Sequence, residues 1–419
     1  MAISIHQTPP LYAPGFNDLI YVVSSNNTAQ ANFQYVCDIY VTDDAGAVSH
    51  AGQSYLRKKT PADPVYSSGV FNITQEVRAF LTSDIGDAAY NFQKSNNSII
   101  RIICQFGEEY GPSSGVTVYP DLTNDVARTY WNAGLDFQDS INYNVDEWVG
   151  NTASTTRNSL TYRPTSGTIR SDEREWVSNL AQSVNEIKYA MVEVWKANGT
   201  FVRLFQINNI YSGIASAGER FVRIPVGMGQ LDQIPPASIL SGNQPISFNA
   251  GRYRVYFTNA TSGTVREEQW YVIDDDACTQ HDRYRLHFRN KAGGYDSFTF
   301  SLAHKHSMDI KRDTFKRNMI TRIGGGRYGT NMSDKGDVNY RTQIKDKITL
   351  NSDWINETES EWLEQLVTSP EVYHDHPTDG LIAISITNSE YTRKQQVTDG
   401  LFNLELTFQY SYDRYRQDL

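Results

Sequence analysis

Near the end of the chain, Phe402, Leu404, Leu406, Phe408 and Tyr410 occupy every second position, separated by Asn403, Glu405, Thr407 and Gln409. Successive side chains of a strand point to opposite faces, so a period of two describes a strand with one buried face and one wet one. The same alternation appears in Phe33, Tyr35, Cys37, Ile39 and Val41, set against Gln34 and Asp38. Residues 18–24, apolar and β-branched, are predicted to pair with 32–41 in one sheet, with Asp43-Asp44-Ala45-Gly46 supplying the next turn. A further strand is expected at 98–106, rich in Ile. Asn198-Gly199 separates strand-like stretches at 186–194 and 201–207, and Asn-Gly readily adopts the positive dihedrals of a tight hairpin. A comparable pair, 253–257 and 269–273, flanks Thr261-Ser262-Gly263. The 26 Tyr, 18 Phe and 7 Trp suit strands and contact surfaces and argue against disorder.

Helical spacing is confined to short stretches. Ile73, Val77, Phe80 and Leu81 predict a helix at about 73–82, with Asn72 or Thr74 as its cap. Asn356 with Glu359 makes a capping arrangement, Trp362, Leu363, Leu366 and Val367 form one apolar face, and Ser369-Pro370 stops that helix. At 419 residues the chain exceeds what one core usually serves. The expected fold is therefore mainly β, with two to three β-sandwich-like domains, a few short helices and a mixed α+β C-terminal region. The expected boundaries are 1–150 for an N-terminal β-rich domain, 151–277 for a central antiparallel β-sandwich after a polar linker at about 150–172, and 278–419 for a C-terminal α+β docking domain.

Composition narrows the function classes. A net charge of −10 gives the whole chain no electrostatic footprint for nucleic acid or an anionic membrane. No stretch approaches the roughly 18 apolar residues of a membrane span, and the first ten residues lack the basic and long apolar regions of a signal peptide. The expectation is a soluble chain made in a cytoplasm. Cys37, Cys104 and Cys278 are far apart without a C-x-x-C spacing, so neither a disulfide framework nor a zinc site is implied.

The motifs that could carry chemistry fail on context. Gly324-Gly325-Gly326-Arg327-Tyr328-Gly329 satisfies G-x-G-x-x-G, but no buried strand leads into it and Thr330 onward cannot open an apolar-faced helix, so a flexible loop is expected. His304 and His306 would share one face of a strand, and His374-Asp375-His376 offers a second cluster, read as loop-like before Pro377 and without a supporting shell for a metal. Asp274-Asp275-Asp276 does not match a calcium loop and reads as a solvated turn. Glu108 and Glu109, adjacent on a strand, point to opposite faces and cannot form a carboxylate pair. No nucleophile-elbow, zincin or P-loop motif occurs. The expectation is a protein that is not an enzyme and has no cofactor, metal or small-molecule substrate. A carbohydrate-active enzyme with acids drawn from distant positions is the rival reading.

One charge feature is positive evidence. Between 283 and 327, eleven Lys/Arg face only Asp296, Asp309 and Asp313, giving +8 against −18 for the remainder of a chain whose total is −10. Arg283, Arg285, Arg289, Lys291, Lys311, Arg312, Lys316, Arg317, Arg322 and Arg327, with Lys305, are the candidate interface residues. Opposed potentials fix register between partners. Docking to an acidic neighbour, another copy included, stands beside intramolecular pairing and contact with nucleic acid.

Several segments resemble virion structural proteins of tailed phages infecting Bacteroidota. They are the opening Pro10-Leu-Tyr-Ala-Pro-Gly-Phe-Asn-Asp, the Ser159-Leu-Thr-Tyr-Arg-Pro segment and, above all, residues 286–300, Leu-His-Phe-Arg-Asn-Lys-Ala-Gly-Gly-Tyr-Asp-Ser-Phe-Thr-Phe. Residues 350–370, from Leu350 to Pro370, look like a segment of tail or baseplate components. The resemblance implies a protein made in the host cytoplasm and carried in the virion, an oligomeric tail, tail-hub or baseplate component whose partners are other virion proteins and copies of itself. Head-attached decoration and a receptor- or glycan-binding module, with Trp131, Trp148 and Trp195 as stacking residues, remain the alternatives. Within the 286–300 segment, Gly293 and Gly294 are predicted to supply positive dihedrals in a turn between strands at 285–288 and 297–302.

Overall fold

The computed structural model describes residues 3–42, 56–86, 89–112, 115, 117–118, 123–150, 156–234, 238–241, 250–275, 281–333, 335–388, 402–412 and 414–416. The predicted turn at 43–46, together with Asp276 and Cys278, lies outside the described residues. The fold is mainly β. It divides into two compact units, residues 1–275 with 290–296, and residues 276–289 with 297–419.

In the first unit, Ser4–Gln7, Ile20–Ser24 and Ser68–Asn72 form a small sheet facing a larger one. The larger sheet is built on Gln34–Thr42, Ile99–Tyr110 and Arg128–Trp131. Tyr21, Val23, Tyr35, Cys37, Phe71 and Phe106 fill the space between them. Contrary to the expectation of a single sheet, the strands at 20–24 and 34–42 belong to opposed sheets. Alternation marks which face of a strand is buried, and that face is satisfied equally by a neighbour beside it or a sheet opposite. The short helix Thr74–Phe80 packs Val77 into the same core. Ile73 takes its cap position, while the Asn72 side chain accepts the Thr74 N–H at 3.0 Å. Ile73, Val77 and Leu81 are buried, but Phe80 is exposed, against its predicted place on the apolar stripe.

The second sandwich of this unit sets a six-stranded sheet against a three-stranded one. Tyr189–Lys196 and Phe201–Asn208 form the predicted hairpin, with Gly199 at φ +84°, and Ala250–Thr258 pairs antiparallel with Gln269–Ile273. The sheet is not wholly antiparallel as expected, since Ser166–Ile169 joins Gln269–Ile273 in parallel. That strand also corrects the reading of 150–172 as exposed connecting chain. Leu160 is buried, and the polar side chains around it are matched internally, with Ser159 Oγ donating to Asn179 Oδ1 at 2.9 Å. Polarity in the sequence signals exposure only where no partner is supplied by the fold. Residues 1–150 and 151–275 share a sheet, because Gln93–Lys94 pairs with Phe221–Pro225.

Residues 290–296 are held within this first unit. Trp131 Nε1 donates to the Ala292 carbonyl at 2.9 Å, Asn290 Nδ2 to the Leu160 carbonyl at 2.9 Å, and Lys291 Nζ bridges Asp136 and Asp139 at 2.8 and 2.6 Å. Gly293 adopts φ +90° as predicted, but Gly294 does not have a positive φ. Its need for glycine is spatial, since a Cβ there would lie 2.2 Å from the Leu160 carbonyl oxygen. Gly294→Ala should therefore destabilise the unit by about 3 kcal/mol, the upper range for forcing atoms into a packed site. Gly325→Ala, in open space, should cost only about 1 kcal/mol for its dihedral. Thermal melting of the two variants tests the ordering.

The second unit is one sheet in the order Tyr295–Phe300, Tyr284–Arg289, Val372–His376, Gly380–Ile386, Glu405–Tyr410, Asp337–Asn351, Lys305–Lys316, with the first two residues of the first strand counted in the other unit. The alternation read at 402–410 is borne out, with Phe402, Leu404, Leu406 and Phe408 buried. The helix Glu357–Thr368 carries the predicted reciprocal cap between Asn356 and Glu359 and ends at Ser369. Its Trp362 packs on Phe288 at 5.7 Å between ring centres.

Candidate interaction surface

Lys305–Lys316 pairs with Asp337–Asn351 along its whole length, from Lys305 opposite Thr349 to Lys316 opposite Asp337. Twelve residues of strand extend roughly 40 Å. The root is anchored, because Glu405–Tyr410 lies along residues 347–351 and Arg414–Arg416 along 342–344. Past that point two strands run together and end in a smaller hairpin, Thr321–Gly324 with Arg327–Gly329. Nearly every described residue from 305 to 335 is exposed. We refer to this ribbon as the arm.

The ten candidate interface residues separate into two groups. Lys311, Arg312, Lys316, Arg317, Arg322 and Arg327 are all exposed on the arm. The others are drawn into the fold. Arg285 is buried and donates to Thr299 Oγ1 at 2.8 Å, Arg289 approaches Glu371 at 3.6 Å, Lys291 is engaged as described above, and Arg283 is half-buried. A linear run of charge cannot distinguish the groups, since it contains both a buried strand and an exposed one.

The arm also has an apolar half, which its charge pattern alone does not announce. Met308, Phe315, Met319, Ile320, Ile323 and Tyr328 are between 41% and 71% exposed. A signal was available, because an apolar–charged mixture repeating from 308 to 328 is unusual for a face that needs only to be wet.

The glycine-rich motif sits at the arm's tip and is a tight hairpin rather than a loose loop, with φ of +106°, +60° and +79° at Gly324, Gly325 and Gly326. No helix N-terminus follows it, so the geometry that lets such a motif hold phosphate is missing.

The four histidines gather at the arm's root. His374 and His376 lie on a strand, which corrects their reading as loop-like. Tyr284 stacks on His374 and meets His304 edge-on, each at 4.9 Å, and its hydroxyl is 3.1 Å from His306 Nε2. The sheet therefore curls until His306 on its edge strand reaches Tyr284 near the other end. Burial, reinforced by His376, pushes the His374 imidazole down to about 4, and burial with His306 lowers His304. Neutral rings packed on an aromatic face are what these environments favour. Among the described residues, no group of three or more His, Cys, Asp or Glu is placed to hold a metal ion.

Glu108 and Glu109 do face apart. Glu108 accepts from Ser25 and Asn27 at 2.5 and 2.6 Å, and Glu109 pairs with Lys59 at 2.6 Å. Of the tryptophans considered for sugar stacking, Trp131 and Trp148 are buried. Trp195 is half-buried against Trp270, 5.4 Å apart and 20° from parallel, with Arg252 and Arg254 within 5.9 Å of both rings. Those cations already occupy the ring neighbourhood a sugar would use.

No protein-family model matches the chain, and no curated protein matches it. Among solved structures, the chain is similar to the crystal structure of dimeric latent PorU from Porphyromonas gingivalis. The identity is 8%, over 84% of this chain and 32% of that one, with a TM-score of 0.18. The chain thus spans about a third of the length of that protein, 32%.

Proposed function

We propose that this chain is a non-enzymatic structural protein of a phage virion, an oligomeric tail, tail-hub or baseplate component that acts through protein–protein interfaces. The observation that supports the reading best is the arm. An isolated two-stranded ribbon is marginal in water, and one carrying exposed apolar and basic side chains gains stability when another surface covers it. Among the described carboxylates, Glu108, Glu109 and Glu186 are each held by structural partners, which suits a scaffold. The segments at 10–18, 159–164, 286–300 and 350–370 supply the virion setting by resemblance. Mass spectrometry of purified particles, with negative-stain imaging of the concentrated protein, tests this. The chain should appear in particles at a copy number matching a ring symmetry. A strictly monomeric chain absent from particles would refute it.

A further inference from the structure

We propose that the arm docks on a second copy of this chain, against its acidic surface. The inference rests on the assembly reading above and names the partner. Residues 305–337 contain eight Lys/Arg, counted as Lys305, Lys311, Arg312, Lys316, Arg317, Arg322, Arg327 and Lys335. Against them stand four acids, Asp309, Asp313, Asp334 and Asp337, for a net +4. The total of −10 leaves −14 on the remaining residues. The body of a second copy therefore carries the field that the arm complements, and it is present wherever the arm is. Opposed potentials steer such partners together and suppress the like-charged arm-to-arm encounter.

The mode of contact follows from the edge. Lys305–Lys316 is the last strand of its sheet, yet Lys305, Lys311 and Lys316 stand along it, and charged side chains on an exposed edge oppose the addition of another strand. Docking therefore uses side chains, with Phe315, Ile320 and Ile323 as the apolar contacts and Arg312, Lys316 and Arg317 as the salt-sensitive ones. An arm on one surface meeting a body on another is a head-to-tail contact, which closes into a ring when the rotation permits and otherwise extends.

The experiment is sedimentation of the full-length protein across concentration at low and high salt. It is run beside an Arg312→Glu/Lys316→Glu/Arg317→Glu variant and a Phe315→Ser/Ile320→Ser/Ile323→Ser variant. Because these side chains are exposed, circular dichroism and melting should stay unchanged, which separates lost docking from lost folding. The wild type should self-associate, weakening about tenfold or more between roughly 0.05 and 0.5 M salt, as screening of exposed charges requires. Each variant should weaken it by a similar factor. Self-association that both variants leave intact would overturn the arm as the contact while leaving the assembly role standing. A chain that stays monomeric at high concentration, yet is found in particles, would overturn the second copy as partner and give the arm to a different virion protein. A monomer absent from particles would remove both readings.

Discussion

Glu186→Ala is expected to destabilise the first unit by about 3–5 kcal/mol, the range for stranding one member of a buried ion pair. Glu186 and Arg266 are both fully buried, and Arg266 Nη2 donates to Glu186 Oε1 at 2.7 Å. The same carboxylate accepts the backbone N–H groups of Gly150, Gln182 and Ser183 at 2.9, 2.7 and 3.1 Å. Alanine would leave a guanidinium in the interior without its counter-charge and three amides without their acceptor. Burial already pushes the Arg266 pKa down, opposed by Glu186, so the interior is costly for this cation even with its partner present. The double variant Glu186→Ala/Arg266→Leu should recover part of the loss, because the stranded charge goes with the arginine. Denaturant unfolding of the single and double variants measures this. A single variant within about 1 kcal/mol of wild type, the worth of an exposed pair, would contradict the buried geometry.

The second large effect is acid sensitivity at the arm's root. His374 is buried, and its Nδ1 lies 3.3 Å from the Tyr410 hydroxyl. Tyr284 and Phe408 pack on the ring, and His376, Asp375 and His287 are the neighbouring ionisable groups. Its folded pKa, pushed down to about 4, lies below the ordinary 6.5. Above pH 6.5 the ring is neutral in both states and contributes no pH dependence. As pH falls from 6.5 towards 4 the unfolded chain gains a proton that the folded one refuses, so stability declines across that window and levels off below it. The full loss is on the order of 3 kcal/mol. His304, lowered in the same direction, adds to it. His374→Phe keeps the stack on Tyr284 and removes the titration, so the difference between variant and wild type should grow as pH falls from 7 to 4.5. Denaturant midpoints at several pH values give that difference, and parallel curves for the two proteins would refute the assignment.

Period-two alternation, Asn-Gly and the Asn356–Glu359 cap are local instructions. Each concerns residues within a few positions of one another, and each was legible in the sequence, as were the single-face helix at 357–368 and the opposite facing of Glu108 and Glu109. What failed depends on partners distant in the chain. The strand at 20–24 shows the same buried face whether it lies beside 34–42 or across the core from it. The polar residues after 156 look exposed until Asn179 accepts from Ser159 and Asp296 from Thr161, at 2.9 and 2.7 Å.

The candidate surface divides in the same way. The excess of Lys and Arg between 283 and 327 was a property of the sequence alone. Its separation into four cations drawn into the fold and seven exposed ones was decided by tertiary structure, because Tyr284–Arg289 lies between two strands of its sheet while Lys305–Lys316 has a strand neighbour on one side only. Sequence determined that the chain would be β-rich and unevenly charged. Only the fold decided where the charge would be left uncovered, since burial is set by contacts that close over hundreds of residues rather than by composition.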